Sequence, residues 1–397
     1  HRRLRRTGPA PVPEGRRKEL KVVVAMDSFK GSLTSLAAGA AVREGILRAD
    51  PAAEVLVRPL ADGGEGTVEA LGSGMGGRLR TVRVTGPLGE GVDCAYGVLG
   101  DTAVIEMAGA AGLPLVPAEE RDPLRTTTYG VGEVIADAIA QGCRRFLVGI
   151  GGSATNDGGA GMLQALGFGL LDAEGRDIPR GAQGLKKLAR IETAGALPAL
   201  AGCRFRVACD VTNPLCGEKG ASAVFGPQKG ARPADIPRMD AWLAAYAQIA
   251  AKAFPGADPE APGTGAAGGL GFAFRTFLSG ELEPGVQIVL EETRLAEALA
   301  GADVVVTGEG RLDGQTAMGK APVGVARLAK ARGCLVLALA GGVTRDAGAC
   351  NGAGIDAFFP AVRGVTTLAE AMDPENARAN LADAAEQAFR LLAAARA

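Results

Sequence analysis

The chain has 397 residues, of which 47% are hydrophobic, only 4% are aromatic and 60 are glycine, about twice the usual glycine share. This excludes disorder and a collagen-like repeat, and the length favours two domains, each able to bury its own core. Residues 1–20 carry seven Lys/Arg against two Asp/Glu, which leaves the remaining body at about −6. With so few aromatic residues, that balance excludes a nucleic-acid surface and points to a small-molecule partner.

The Arg/Pro-rich segment 1–20 lacks an apolar core and is expected to be a non-native or disordered leader outside the fold. No apolar run reaches the roughly 18 residues that a membrane span requires. Seven scattered cysteines without a C-x-x-C pair predict a reducing, cytoplasmic setting. The one histidine is His1. Residues 21–397 therefore cannot supply Ser-His-Asp hydrolysis, a His-ligated metal site or His-driven hydride transfer, and acid/base work falls to Asp, Glu or Lys.

In chain order, KVVVA (Lys21–Ala25) predicts a first strand. A helix follows over Leu36–Leu47, capped by Thr34 or Ser35 and stopped at Asp50-Pro51. EVLVRP (Glu54–Pro59) reads as the next strand. Thr81–Thr85, Val92–Val98 and Thr102–Met107 are closely spaced without helices between them, as in an antiparallel meander. Arg144–Ile150 and Phe205–Ala208 are further strands, and Phe254–Gly271, rich in proline and glycine, reads as a loop. Asp303–Thr307, Leu335–Leu339 and Asp356–Phe359 are three more strands, with helices around Pro322–Lys330 and Ala377–Ala394. The first strands and these last three are expected to share one sheet. The organisation expected is α/β, with a discontinuous first domain, residues 21–80 plus 286–397, and a second domain inserted at 81–285.

Three glycine patterns carry limited weight in so glycine-rich a chain. Gly263–Gly268 follows a loop rather than a strand, the wrong context for a dinucleotide fingerprint. Gly149-Ile-Gly151-Gly152-Ser153-Ala154 follows a strand and continues into Thr155-Asn156-Asp157, a set able to cradle phosphates; the plainer reading is a tight turn. Gly314–Ala321 is one residue from a Walker A loop, but Ala321 stands where a Ser or Thr should hold Mg²⁺. Lys320 is then either an anion contact or a solvated helix-start lysine.

Four acidic turns at strand ends are more informative, because such turns face the ligand crevice of α/β proteins. They are Asp27-Ser-Phe-Lys30, Asp62-Gly-Gly-Glu65, Asp210-Val-Thr-Asn213 and Glu309-Gly-Arg-Leu-Asp313. Each alone could be a helix cap. Together they suit phosphoryl transfer from a Mg²⁺-nucleotide: carboxylates for the metal, one carboxylate for the acceptor's proton, Lys and backbone amides for developing charge.

At these residues the chain resembles the bacterial-type glycerate kinases. The resemblance runs through AMDSFKGSLTS (25–35), PLADGGEGT (59–67), VTGPLG (84–89), RTTTYGVGE (125–133), GIGGSATNDGGAG (149–161), CDVTNPLCG (209–217), FGPQKGA (225–231), GAAGGLGFA (265–273) and TGEGRLDGQT (307–316). It implies two α/β domains, the first a Rossmann- or flavodoxin-like parallel sheet and the second a mixed sheet, with the active site in the cleft between them. It further implies ATP and Mg²⁺ as cofactors and D-glycerate as acceptor. The expected product is 2-phosphoglycerate, with 3-phosphoglycerate as the alternative, in a monomer or homodimer.

The roles assigned on that basis are Asp27, Lys30 and Asn213 for glycerate, and Lys30 with Asp62 or Asp210 as general base for catalysis. Gly151, Gly152, Ser153, Asn156 and Asp157 are expected at the ATP phosphates, and Glu309 and Asp313 at Mg²⁺. Gln228 and Lys229 are expected in the same cleft. Two competing classes are an NAD-dependent hydroxy-acid dehydrogenase and a non-catalytic sugar-acid or nucleotide sensor.

Overall fold

The computed structural model describes residues 19–396. The expected leader therefore lies outside the described residues as far as residue 18. Leu20 is buried in the core, and its carbonyl accepts the Glu54 N–H at 2.9 Å, so the fold has begun by that residue.

Along the described residues the strands are β1 (Lys21–Met26), β2 (Glu54–Val57), β3 (Arg78–Thr85), β4 (Gly91–Leu99), β5 (Thr102–Glu106), β6 (Arg145–Gly149), β7 (Gly169–Leu171), β8 (Arg190–Glu192), β9 (Arg204–Ala208), β10 (Glu281–Glu283), β11 (Val304–Leu312), β12 (Leu335–Val343) and β13 (Ala357–Pro360). Five of them form an all-parallel sheet in the order β13-β12-β11-β1-β2. Its β-branched run at Val22–Val24 is buried on both faces, as a central parallel strand requires. On one face lie the helices Ser35–Ala49 and Pro374–Ala395, packed through Ala38, Val42, Ile46, Leu381 and Phe389. Gly45 sits where a Cβ would stand 2.0 Å from the Ala382 carbonyl oxygen, so only glycine lets these helices approach. The opposite face is covered by helices Gly285–Glu292 and Ala321–Lys330.

The second sheet runs β10-β9-β6-β5-β4-β3, with β3, β4 and β5 antiparallel as the meander pattern predicts and β5, β6, β9 and β10 parallel. It has its own large core. Val104, Leu147 and Ala208 on its other face join the core of the first sheet, so the two sheets share one apolar seam.

Two expectations need correction. The acidic segment after Asp303–Thr307 is not a turn: β11 continues to Leu312, because β12 runs on through Ala340-Gly-Gly-Val343 and pairs Glu309 with Ala340 and Arg311 with Gly342. The loop at Phe254–Gly271 ends early, since a helix spans Ala266–Phe277. Its first turn is left-handed at Ala267, Gly268 and Gly269 (φ 51°, 65° and 91°), which is where the glycines that suggested a loop are used. The sequence reading also passed over the helix Ile236–Ala253, whose Met239, Leu243 and Tyr246 are buried.

Candidate active site

The carboxyl ends of β1, β2, β11 and β12 face those of β5, β6 and β9 across a cleft, the position where parallel α/β sheets bind ligands. The cleft holds two chambers of about 490 and 1100 Å³. Gly149–Ser153, Glu106, Gln228 and Lys229 belong to the smaller, and Asp27, Glu309, Asp313 and Lys320 to the larger. Lys30, Asp62 and Asp210 line both, so they stand where the chambers meet.

Asp27 follows β1, whose register continues through the Asp27 N–H to the Gly308 carbonyl at 2.9 Å. Its carboxylate accepts the Ser28 N–H at 2.7 Å. Burial first, then the nearby carboxylates of Asp62 and Glu309, push Asp27 up to about 7 against the pull of the Ser28 N–H and Lys30. Asp62 follows β2 and accepts the Gly64 N–H at 3.0 Å; its other oxygen lies 3.9 Å from Lys30 Nζ. Asp210 follows β9 and accepts the Gly285 N–H at 3.0 Å. Its enclosure in the cleft and then Asp62 raise it, while the Gly285 N–H opposes.

Glycines let the two halves of this site touch. A Cβ on Gly285 would lie 1.8 Å from the Asp62 carbonyl oxygen, and one on Gly149 would lie 2.1 Å from the Gly63 carbonyl oxygen. The loop after β2 is thereby seated on the ends of β6 and β9, and Asp62 is carried to within electrostatic reach of Asp210.

Within the larger chamber, Thr316 Oγ1 donates to Glu309 at 2.6 Å and stands 3.4 Å from Asp313, placing the two carboxylates side by side. Lys320 Nζ lies 4.0 Å from Glu309 and 3.6 Å from Asp313. Burial raises Glu309, against the Thr316 hydroxyl and Lys320. Burial acts on Asp313 in the same sense, but the Thr316 N–H, Lys320 and the Gln315 N–H hold it below its ordinary value. Among the described residues no group of three or more His, Cys, Asp or Glu forms a complete metal cage. Two adjacent carboxylates nevertheless suit Mg²⁺, which usually takes one or two from the protein and completes its shell with water and phosphate oxygens.

In the smaller chamber Lys229 is 2% exposed and its Nζ donates to the Thr155 carbonyl at 2.7 Å. Burial drives it down to about 7, with Asp157 opposing. Lysine has three N–H donors, and the described residues show an acceptor for one of them.

Three of the expected residues do not line either chamber. Asp157 is fully buried and accepts from the N–H groups of Thr128, Gly159 and Gly161 at 2.9, 3.0 and 3.2 Å, as a brace for its own loop. Asn156, also buried, donates to Ser222 Oγ at 2.8 Å. The Asn213 amide donates to the Lys219 carbonyl at 2.8 Å. Gly151–Ser153 do line the smaller chamber, yet the loop does not open a helix as a dinucleotide turn would. The Gly152 carbonyl accepts from Leu113, the Ala154 N–H donates to Ala111, and the next helix starts only at Ala160. Lys320 does cap the start of the helix Ala321–Lys330 and is 42% exposed, and its ammonium also lies within 4.0 Å of the Glu309 and Asp313 carboxylates.

Sequence reasoning missed Glu106. It ends β5, takes the Val68 N–H at 2.8 Å and lines the smaller chamber, and burial raises its pKa. The rule that marked the other strand-end acids would have found it.

The glycerate kinase family pattern matches residues 22–393. The chain is 48% identical over 356 residues to a glycerate kinase of Bacillus subtilis (strain 168), covering 89% of this chain and 93% of that one. It is likewise 48% identical over 354 residues to the glycerate 2-kinase of Escherichia coli (strain K12), with the same coverage, 89% and 93%. A crystal structure from Salmonella typhimurium LT2, provisionally described as glycerate kinase 2, superposes with a TM-score of 0.88 at 46% identity, covering 96% of this chain and 100% of that one. With the family pattern extending over nearly all of the described residues, the chain belongs to the glycerate kinase family.

Proposed function

We propose that the chain transfers the terminal phosphoryl group of ATP to D-glycerate with Mg²⁺, giving 2-phospho-D-glycerate. The observation that carries this reading is the sharing of Lys30, Asp62 and Asp210 by two chambers. Donor and acceptor each need a pocket, and the reacting atoms must meet at one place lined with charge.

The Lys30 ammonium, at that junction, balances charge on the phosphoryl oxygens during transfer. Asp62 or Asp210, as a carboxylate, takes the proton of the acceptor hydroxyl. Asp27, expected at the acceptor, lines the larger chamber and not the smaller, and there it balances the charge of Lys30. Glu309 and Asp313 would hold Mg²⁺, which supplies Lewis-acid stabilisation of the phosphate charge.

The two-domain division at 21–80 plus 286–397 and 81–285 fits this scheme, because closure of one sheet on the other would exclude water from the transferring group. All seven cysteines are free thiols, which supports a reducing, cytoplasmic setting. No helix among the described residues is long and apolar enough to cross a membrane.

The deciding experiment measures ADP release with Mg·ATP and D-glycerate and identifies the product by NMR and by coupling to enolase without phosphoglycerate mutase. Direct coupling establishes 2-phosphoglycerate. Turnover that needs the mutase establishes the 3-phosphate, and absence of turnover refutes the reading.

A further inference from the structure

The two chambers are not chemically equivalent. Six large hydrophobic side chains are exposed among the described residues, and two of them, Met318 at 85% and Leu368 at 76%, line the larger chamber. Val362 and Met372 continue the same apolar wall. Met318 lies two residues before Lys320, so apolar rim and charged floor are adjacent. Along the floor the backbone is bare: a Cβ on Gly342 would meet nothing within 4 Å. Side chains of this kind, left in water on the rim of a cavity, mark a surface built to be covered by a ligand.

We propose that the larger chamber is the nucleotide site, with the purine ring held between Met318 and Leu368 and the triphosphate running past Lys320 toward Lys30. This rests on the ATP-dependent reading above. A purine is a flat π surface without charge, and a thioether is soft and polarizable against such a face. The triphosphate needs cations and metal-binding carboxylates, and Lys320, Glu309 and Asp313 occur together in this chamber alone.

The smaller chamber then receives glycerate. Its volume of about 490 Å³ is ample for a three-carbon acid. The buried ammonium of Lys229 faces the glycerate carboxylate there. Gly151, Gly152 and Ser153 accordingly lie on the acceptor side of the junction rather than along the nucleotide phosphates.

The test uses the full chain with Met318→Glu, Leu368→Glu, the double alanine variant and Phe225→Ala, since Phe225 lines the smaller chamber and not the larger. Both rim residues are exposed, so their replacement leaves folding intact, which thermal melts verify. The KM for Mg·ATP is expected to rise about tenfold in each rim variant, with the KM for D-glycerate within about twofold of the wild type. The dissociation constant of a non-hydrolysable ATP analogue, read by calorimetry, is expected to rise by the same factor. Phe225→Ala is expected to move the glycerate KM and not the ATP KM. Rim variants with unchanged ATP KM and analogue affinity, in a chain whose wild type phosphorylates glycerate, overturn this inference alone. A wild type that neither turns over nor binds the analogue overturns the ATP-dependent reading and this inference with it.

Discussion

The Lys30 ammonium stands 3.9 Å from the Asp62 carboxylate, and the two residues lie in the loops that follow the adjacent parallel strands β1 and β2. Both side chains are substantially exposed to the cleft, 69% and 40%. The pair is therefore too well solvated to be a stability device. Its location at the meeting of two chambers is the basis of the chemical role proposed for it.

Replacing Lys30 with Met is expected to lower kcat by about 10²–10³, the loss typical of one preorganised group facing developing charge. The glycerate KM should rise as well. Steady-state kinetics with both substrates varied would show this, and unchanged parameters remove Lys30 from the site.

The choice between the two strand-end bases is open to direct measurement. Asn at the position of the true base, in Asp62→Asn or Asp210→Asn, should cost about 10²–10⁴ in kcat. Full kcat in Asp210→Asn leaves Asp62 as the base, and the converse result leaves Asp210.

Asp27 predicts a pH dependence of stability in the metal-free chain. Folded, it keeps its proton to about pH 7, whereas unfolded it releases it near 3.8. Between those values the folded state binds more protons, so the Asp27 contribution makes stability fall as pH rises, and it levels off above about 7. Denaturant titrations of wild type and Asp27→Asn through this window isolate the effect, since Glu309, Asp210 and Glu106 are common to both. Parallel stability curves would show that Asp27 is not shifted.

Lys229 gives the opposite sign. Unfolded it stays protonated to about 10.5, whereas folded it loses its proton near 7. Across that window the unfolded state binds more protons, so its contribution makes stability rise with pH. Lys229→Met is expected to flatten this rise in unfolding experiments, and to raise the glycerate KM at neutral pH by removing the buried ammonium.

Gly285→Ala tests the seam. The new methyl would lie 1.8 Å from the Asp62 carbonyl oxygen and 2.9 Å from the Gly63 Cα, both backbone, so the loop after β2 has to move. Overpacking of this kind costs about 1–3 kcal/mol. Because the same shift displaces Asp62 and disturbs the Asp210–Gly285 hydrogen bond, activity should fall by more than the loss of folded protein accounts for. Unfolding midpoints together with kcat per folded molecule separate the two effects.

The amino-acid sequence by itself determined the parallel sheet, the meander and most of the acids of the cleft. Those signals are local: β-branched runs such as Val22–Val24, capping residues such as Thr34, and carboxylates just beyond strand ends. The missing imidazole and the ordered family motifs narrowed the chemistry further. Only the tertiary structure decided which polar residues face the cleft. Asp157 and Asp62 both sit in glycine-rich segments, yet Asp157 is enclosed by backbone donors from its own loop and the Thr128 segment, and the Asp62-Gly63 backbone is seated against Gly149 at the end of β6 and Gly285 at the start of a helix, both more than eighty residues away. The extension of β11 to Leu312 likewise required β12 as a partner. Whether a polar group is spent on its surroundings or left to act on a ligand depends on contacts between distant segments, and no local spacing encodes them.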